Sequence, residues 1–269
     1  MNILEIKDLS FRYKNRFIYD GFNLSVNRGD WITIAGPNGA GKTTLVKILA
    51  GLEKSYSDIK VFNLPMNKKK NLYKIRKEIG FVFDNPENFF ACETVEDELA
   101  FSLENMAVLP TTIRKKINDI SKLLKIEHLL KENPYELSGG EKQKVSLACA
   151  LMLEPRMLVL DEALLMIDIN ERKEILDVLK KYNEEKRVTI ISLTHNLDEA
   201  IYSNRLIVLN KGIIVVDGDF KEVFKEERVM RKIGLEVPFC AELSQKLRIF
   251  NLIDDLELDL ERLVSLLWK

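Results

Sequence analysis

The sequence predicts an α/β fold, and three segments carry that prediction. WITIA (31–35) is an apolar, β-branched run followed by a glycine-rich turn and then by LVKILAG (45–51), which has the apolar spacing of a helix. MLVLDE (157–162) is an uninterrupted apolar run ending in two carboxylates, and VTIISLTH (188–195) repeats the design with a polar pair at its tip. Such runs suit central parallel strands buried on both faces, and open α/β sheets place ligands at the carboxyl ends of their strands.

The remaining elements follow in chain order. Alternating segments near 3–10 and 22–35 predict an antiparallel sheet leading into the 31–35 strand. The cluster Lys68, Lys69, Lys70, Lys74, Arg76 and Lys77 reads as a solvated loop. From about 87 to 152 the chain turns helical. TVED (94–97) is a capping box for ELAFSLEN, and Ile113, Ile117, Ile120 and Leu124 mark an amphipathic helix begun by Thr111 or Thr112 after Pro110. LIVLNKGIIVVDG (206–218) reads as a hairpin turning at Asn210, Lys211 and Gly212. The division expected is a core of residues 1–220, with a helical subdomain at about 87–152, and a helical tail of 221–269. In that tail Leu252, Leu256, Leu260, Leu263 and Leu267 form one apolar stripe, which packs either on its own subunit or on a partner.

Composition bounds the function classes. At 269 residues the chain suits one large domain with a subdomain and a tail. It is 46% hydrophobic and 31% charged with a formal net charge of -1, so charge gives no reason to expect a nucleic-acid partner. Cys92, Cys149 and Cys240 are odd in number and far apart, which excludes a disulfide framework or a metal spacing and suits a reducing cytosol; each is expected as a small core residue. The N-terminus alternates like a strand without a signal-peptide core, and no uncharged apolar run approaches the roughly 20 residues of a membrane helix. A soluble protein that docks on a membrane protein is therefore expected.

The chemistry is concentrated in four motifs. Residues 36–44 read GPNGAGKTT, the GxxxxGK[ST] pattern of a P-loop in its required strand–loop–helix context. Gly36, Gly39 and Gly41 let the backbone of Gly36, Pro37, Asn38, Gly39, Ala40, Gly41 and Thr44 curl around phosphate oxygens. Lys42 adds charge for the β- and γ-phosphates, and the Thr43 hydroxyl is placed for Mg²⁺. Ser138, Gly139 and Gly140 precede a helix-forming stretch, where free N–H groups and the helix dipole favour an anion; alone, SGG reads equally as an N-cap and a turn. Asp161 is expected to reach the Mg²⁺ shell through water, and Glu162 to orient the attacking water beside the γ-phosphate. His195, at the tip of its strand, is placed to hydrogen-bond that phosphate.

In this order the motifs GPNGAGKTT, LSGGE, VLDE and a histidine after an apolar strand resemble the ATP-binding subunits of ABC proteins over residues 1–220. The resemblance implies a P-loop ATPase core with an antiparallel β subdomain, an inserted helical subdomain and a C-terminal helical tail. It implies two subunits sandwiching two ATP molecules with Mg²⁺. Tyr13 would stack on adenine, Asp168 would contact the opposite subunit, and Ser138, Gly139 and Gly140 would bind the partner's ATP. VFDNPENFF (82–90) looks like the segment that links the site to a membrane partner. There Asp84 stands where the family usually carries a glutamine that contacts Mg²⁺, Ala163 replaces a frequent proline, and Glu141 replaces a frequent glutamine.

IGLEVPFCAELSQKLR (233–248) and VFDNPEN followed by TVEDELAFSLEN resemble a narrower group, the ATPases of energy-coupling-factor (ECF) importers, although Phe89 replaces that group's glutamine. This resemblance implies ATP-driven vitamin or transition-metal uptake and a tail that meets the partner subunit. The partner ATPase would be a copy or a paralogue. The other components would be a transmembrane coupling protein and a substrate-binding membrane component, with the chain peripheral on the cytoplasmic face. The rivals are the ATPase of a conventional ABC transporter, a soluble ABC protein acting on nucleic acid or ribosomes, and a degenerate binding-only cassette. One compact cassette speaks against the second, and Lys42, Glu162 and His195 speak against the third.

Overall fold

In the first 66 residues two sheets are started together. The structure, a computed structural model, describes residues 1–14, 16–258 and 260–268. β1 (Asn2–Tyr13) pairs antiparallel with β2 (Arg16–Asn27), and their alternating burial lays one apolar face inward. β3 (Trp31–Ala35) leaves this sheet and enters a second one; all five of its residues are buried. The glycine-rich turn and α1 (Lys42–Leu49) follow, then β4 (Asp58–Val61) and β5 (Leu64–Pro65), which complete the first sheet in the order β2-β1-β4-β5.

The basic cluster expected as a solvated loop forms a helix instead, α2 (Lys69–Arg76). Its one buried apolar residue, Ile75, and the hydrogen bonds of Arg76 to the carbonyls of Ala50 (2.8 Å) and Gly51 (3.0 Å) anchor it against the end of α1. β6 (Ile79–Val82) leads through a short 3-10 turn, Pro86–Phe89, into the helical region of α3 (Val95–Glu104), α4 (Pro110–Leu123) and α5 (Gly139–Met152). Thr94 caps α3 by accepting the Asp97 amide at 3.1 Å. α4 starts at Pro110 itself, one or two residues before the expected threonines, because a proline at the first helical position supplies its φ and has no N–H to leave unpaired.

β7 (Met157–Asp161), α6 (Ile169–Lys186), β8 (Thr189–Thr194), β9 (Arg205–Asn210) and β10 (Ile213–Gly218) finish the second sheet, ordered β10-β9-β3-β8-β7-β6. It is parallel apart from the β9–β10 hairpin. β3, β7 and β8 thus lie together and end on the same edge. One face of this sheet packs with the first sheet and α1 through Ile32, Ile34, Val159, Ile191 and Ile207. The other face, through Trp31, Leu158, Leu160 and Ile190, meets the helical region.

The tail comprises α7 (Phe220–Lys225), α8 (Glu227–Lys232), α9 (Phe239–Ile249) and α10 (Leu260–Leu267). The five leucines do not form one stripe on one helix. Leu252 and Leu256 lie in a non-helical stretch between α9 and α10, where the Ser244 hydroxyl donates to the Glu257 carbonyl at 2.7 Å and accepts the Glu257 amide at 3.0 Å. Leu256 is buried with Val223, Phe224 and Met230 against Ala35, Leu206 and Val208 of the parallel sheet. Leu263 is also buried, whereas Leu252, Leu260 and Leu267 are exposed. The three cysteines are all only partly buried and unbridged, less enclosed than expected.

Candidate active site

The P-loop is held by its own backbone before any side chain contributes. Gly36 N–H donates to the Thr194 carbonyl (3.3 Å), Ala40 N–H to the Pro37 carbonyl (3.1 Å) and Gly212 N–H to the Ala40 carbonyl (2.9 Å). A Cβ on Gly36 would lie 2.3 Å from the Leu209 carbonyl oxygen, so no other residue fits there. Gly41 has φ 117°, and its carbonyl accepts the buried Tyr19 hydroxyl at 2.8 Å. Gly41 also caps α1 without a side chain, which leaves the first N–H groups of that helix to a ligand.

Lys42 is buried, and its ammonium donates to the Gly36 carbonyl (2.6 Å) and pairs with Glu162 Oε1 (3.3 Å). Glu162 Oε2 lies 3.2 Å from His195 Nδ1. Glu162 has φ 51°, a left-handed conformation that costs a non-glycine residue about 1–2 kcal/mol. Its N–H donates to the Leu193 carbonyl at 2.8 Å, so the tip of β8 fixes the strained turn. Asn196, after His195, donates its N–H to Thr194 Oγ1 (3.0 Å) and accepts the Asp198 amide (3.0 Å), which holds the histidine's loop.

Asp161 is fully buried. Thr43 Oγ1 donates to its Oδ1 at 3.4 Å, while its Oδ2 has no hydrogen-bond partner. Burial pushes the Asp161 carboxyl up to about 7; the Thr43 hydrogen bond opposes this, nearby Asp84 and Glu162 add to it, and Lys42 opposes it. An orphaned buried carboxylate oxygen beside a hydroxyl is a site that fits Mg²⁺, a hard cation that takes oxygen ligands. Asp84 leaves the end of β6, with its Oδ1 accepting the Asn85 amide (2.9 Å) and its carbonyl accepting Gln143 Nε2 (2.9 Å).

Lys42, Thr43 and Glu162 open into a cavity of about 280 Å³ that Tyr13, Arg16 and Asn38 also line. Tyr13 is edge-on to Phe11 at 5.0 Å and donates to Glu53 Oε1 at 3.1 Å; burial, then Glu53, raises its phenol above the ordinary range. A wider cleft of about 750 Å³ adjoins it past Asn38 and His195, with residues 234–239 of the tail as its far wall.

Ser138, Gly139 and Gly140 are not among the residues that line the P-loop cavity. Ser138 is exposed at the N-cap of α5, and its N–H (2.9 Å) and hydroxyl (2.6 Å) both donate to Glu141, lowering that carboxyl below its usual range. The two glycines also have a packing reason. A Cβ on Gly140 would come within 3.0 Å of the Met166 carbonyl oxygen, and one on Gly139 within 2.9 Å of the Met166 sulfur. Asp168 is exposed and caps α6 by accepting the Asn170 amide at 2.9 Å.

Sequence reasoning missed three supporting groups. Arg16 lines the cavity, and the only signal was its place three residues after Tyr13. Arg172 donates to the carbonyls of Leu165 and Ile167, both at 3.1 Å, and so holds the loop between β7 and α6. Lys142 pairs with Glu87 at 2.5 Å, tying the start of α5 to the Pro86–Phe89 turn.

Residues 19–165 match the family described as ABC transporter. The energy-coupling factor transporter ATP-binding protein EcfA1 of Geobacillus kaustophilus is 38% identical, over 91% of this chain and 89% of its own length. The protein of the same name from Bacillus subtilis is 37% identical, over 99% of this chain and 96% of its own. Among solved structures, cbiO1 of Clostridium perfringens, part of an ABC transporter complex, superposes with a TM-score of 0.76 at 33% identity, covering 91% of this chain and 99% of that one. A dimeric ATP-binding cassette in a post-hydrolysis state with ADP and Pi gives 0.75 at 27% identity, covering 81% of this chain and 98% of that one.

Proposed function

Because the chain belongs to the ABC transporter family, with energy-coupling-factor ATP-binding proteins as relatives over nearly its full length, we propose that it is one of two ATPase subunits driving an ECF-type importer of a vitamin or transition metal. It is an ATPase whose hydrolysis is coupled to transport. The observation that carries the finer reading is a division within one chain. Lys42, Thr43, Asp161, Glu162 and His195 converge at the ends of α1, β7 and β8, while the glycines at the start of α5 lie outside their cavity. Each P-loop is then completed by Ser138, Gly139 and Gly140 of a second subunit.

In this reading the backbone of residues 36–44 binds the triphosphate, Lys42 leaves Glu162 for the β- and γ-phosphates, and Tyr13 stacks on adenine. Thr43 and Asp161, with Asp84, hold Mg²⁺, which when bound offsets phosphate charge. Glu162, released by Lys42, accepts a hydrogen bond from the attacking water, and His195 steadies the γ-phosphate from the other side. Asp168 reaches the opposite subunit. The 82–90 segment, bonded to α5 through Gln143 and Lys142, meets a transmembrane coupling protein that works with a substrate-binding membrane component.

Among the described residues no helix is long and apolar enough to cross a membrane. The chain acts as a peripheral subunit on the cytoplasmic face, without a nucleic-acid partner. The exposed Leu252, Leu260 and Leu267 give the tail a face for the second subunit, a copy or a paralogue.

The test is dimerisation under ATP. Glu162→Gln should slow hydrolysis on the order of 1,000-fold, about 4 kcal/mol in the barrier, yet bind MgATP and accumulate as a dimer by light scattering. Adding Ser138→Arg should abolish that dimer while leaving ATP binding in place. A dimer that persists with Ser138→Arg would show that the α5 glycines do not complete the partner's site.

A further inference from the structure

The carboxylate at position 84 changes the charge of the metal corner of the pocket. β6 and β7 run side by side with Val82 opposite Leu160. Asp84 and Asp161 therefore leave strand ends spaced about 4.8 Å apart. The charges of Asp84 and Glu162 both act on the Asp161 carboxylate, and one ammonium opposes them. That ammonium, Lys42, is already engaged by Glu162 at 3.3 Å and by the Gly36 carbonyl at 2.6 Å. The Asp161 carboxylate lies beside the Thr43 hydroxyl at 3.4 Å, one of its oxygens has no partner although the residue is fully buried, and the charge of Asp84 acts on it. A glutamine at position 84 would leave a single charge there.

Carboxylate is a charged, hard oxygen donor, and adding one to a site raises affinity for Mg²⁺ or Mn²⁺ more than an amide oxygen does. The backbone around Asp84 is fixed in advance, by the Gln143 bond to its carbonyl and the Asn85 bond to its Oδ1, so no loop must be ordered when a cation arrives. Thr43 and the two aspartates would supply three oxygen donors, so water would fill the remaining positions, as Mg²⁺ favours.

We propose that this chain seats one divalent cation on Thr43, Asp84 and Asp161 before nucleotide arrives, and that Asp84 is the residue that makes this possible. The inference rests on reading the cavity as the ATP site. It goes beyond it in the order of events: the cation is in place first, and it lowers the repulsion that three carboxylates would otherwise present to a triphosphate.

The experiment is a Mn²⁺ titration of the nucleotide-free full chain, with free Mn²⁺ followed by electron paramagnetic resonance. Wild type should bind one Mn²⁺ per chain. Asp84→Gln and Asp84→Asn should bind it at least ten-fold more weakly, and Asp84→Glu, which keeps the charge, should stay within a few-fold of wild type. Melting curves for all three confirm that they are folded. No saturable Mn²⁺ binding by wild type, or equal binding by wild type and Asp84→Gln, would overturn the inference. A parallel MgATP titration separates the two readings. Tight MgATP binding with unaltered Mn²⁺ affinity in Asp84→Gln sinks only the early cation seat. Wild type that cannot bind MgATP sinks the ATP site itself.

Discussion

The nucleotide pocket and the C-terminal tail are built by opposite means. In the pocket, polar groups sit where the backbone puts them. A strand tip, a glycine turn and the first turn of α1 leave room for few residue types, and Lys42, Glu162 and His195 form a continuous chain of contacts at 3.3 Å and 3.2 Å. In the tail almost everything depends on tertiary packing: Leu256 is buried by the parallel sheet, and Leu252, four residues earlier, is exposed. A pocket of this kind carries strain and unsatisfied groups, at Glu162 and Asp161, which a ligand can relieve. Among the described residues the tail leaves no buried side-chain polar atom unpaired, and its left-handed non-glycine residue, Asn251 (φ 55°), is of a type that adopts that conformation readily; the tail adds stability. The difference teaches that function and stability are drawn from separate parts of the chain, and four variants test how separate they are.

The largest effect should come from Lys42→Ala. It removes the one buried ammonium in the pocket, and ATP affinity measured by calorimetry should fall on the order of 100- to 1,000-fold, roughly 3–4 kcal/mol. The melting temperature without nucleotide should change little, because Lys42 packs against the P-loop and not in the apolar core. Wild-type affinity in this variant would mean that the cavity is not the phosphate site.

Leu256→Asp is the counterpart in the tail. It places a carboxylate among Val223, Phe224 and Met230, and losing a buried leucine while burying a charge costs roughly 3 kcal/mol. At about 2–4 °C per kcal/mol for a domain of this size, thermal unfolding should begin several degrees lower. ATP affinity in the folded protein should be unchanged. A loss of affinity at a temperature where the variant is folded would show that the tail wall of the wider cleft reaches into the pocket.

Much of the pocket was legible in the sequence, and less of the tail, for a physical reason. A P-loop needs glycine where a Cβ would strike a carbonyl oxygen, as at Gly36, and a lysine at fixed spacing, so its residues announce themselves. The β9–β10 hairpin was legible for the same reason, since Lys211 (φ 48°) and Gly212 (φ 76°) make the turn where the asparagine, lysine and glycine stand. The leucine stripe of the tail satisfied a helical spacing, yet nothing local distinguishes a helix from a segment pinned by Ser244 and Glu257. Arg172 was invisible because its work, holding two carbonyls of the loop before it, depends on how α6 meets that loop. The basic run 68–77 looked solvated because its one anchoring apolar residue, Ile75, is outnumbered by lysines.

A smaller effect tests whether the strand tips under the pocket are paid for in stability. Glu199 is buried beside Thr194 and Arg172, and burial raises its carboxyl to about 7 against the opposing pull of Arg172 and the Thr194 hydrogen bond. The folded value lies above the ordinary one, so stability present below about pH 4.5 is lost as pH rises through about 7. The loss is roughly 2 kcal/mol after allowing for relaxation around the charge. Glu199→Gln should flatten the melting temperature between pH 5 and pH 8 and raise it at pH 8. An unchanged slope would place the titration elsewhere.

The smallest effect on the fold, and the sharpest test of the tail, should come from Leu252→Asp combined with Leu260→Asp. Both side chains are more than half exposed, at 57% and 51%, so a charge on either meets water and not core. Exposed substitutions of this kind change stability by at most about 0.5 kcal/mol, and the melting temperature of the isolated subunit should stay within about 2 °C of wild type. If the exposed side of the tail meets a second subunit, the same pair of charges is buried on assembly, and each costs far more there. Light scattering of Glu162→Gln with MgATP, with and without the two aspartates, reads that difference directly. Loss of the dimer at an unchanged melting temperature assigns the outer face to the partner. A dimer of wild-type strength confines the tail's contribution to the packing that buries Leu256 and Leu263.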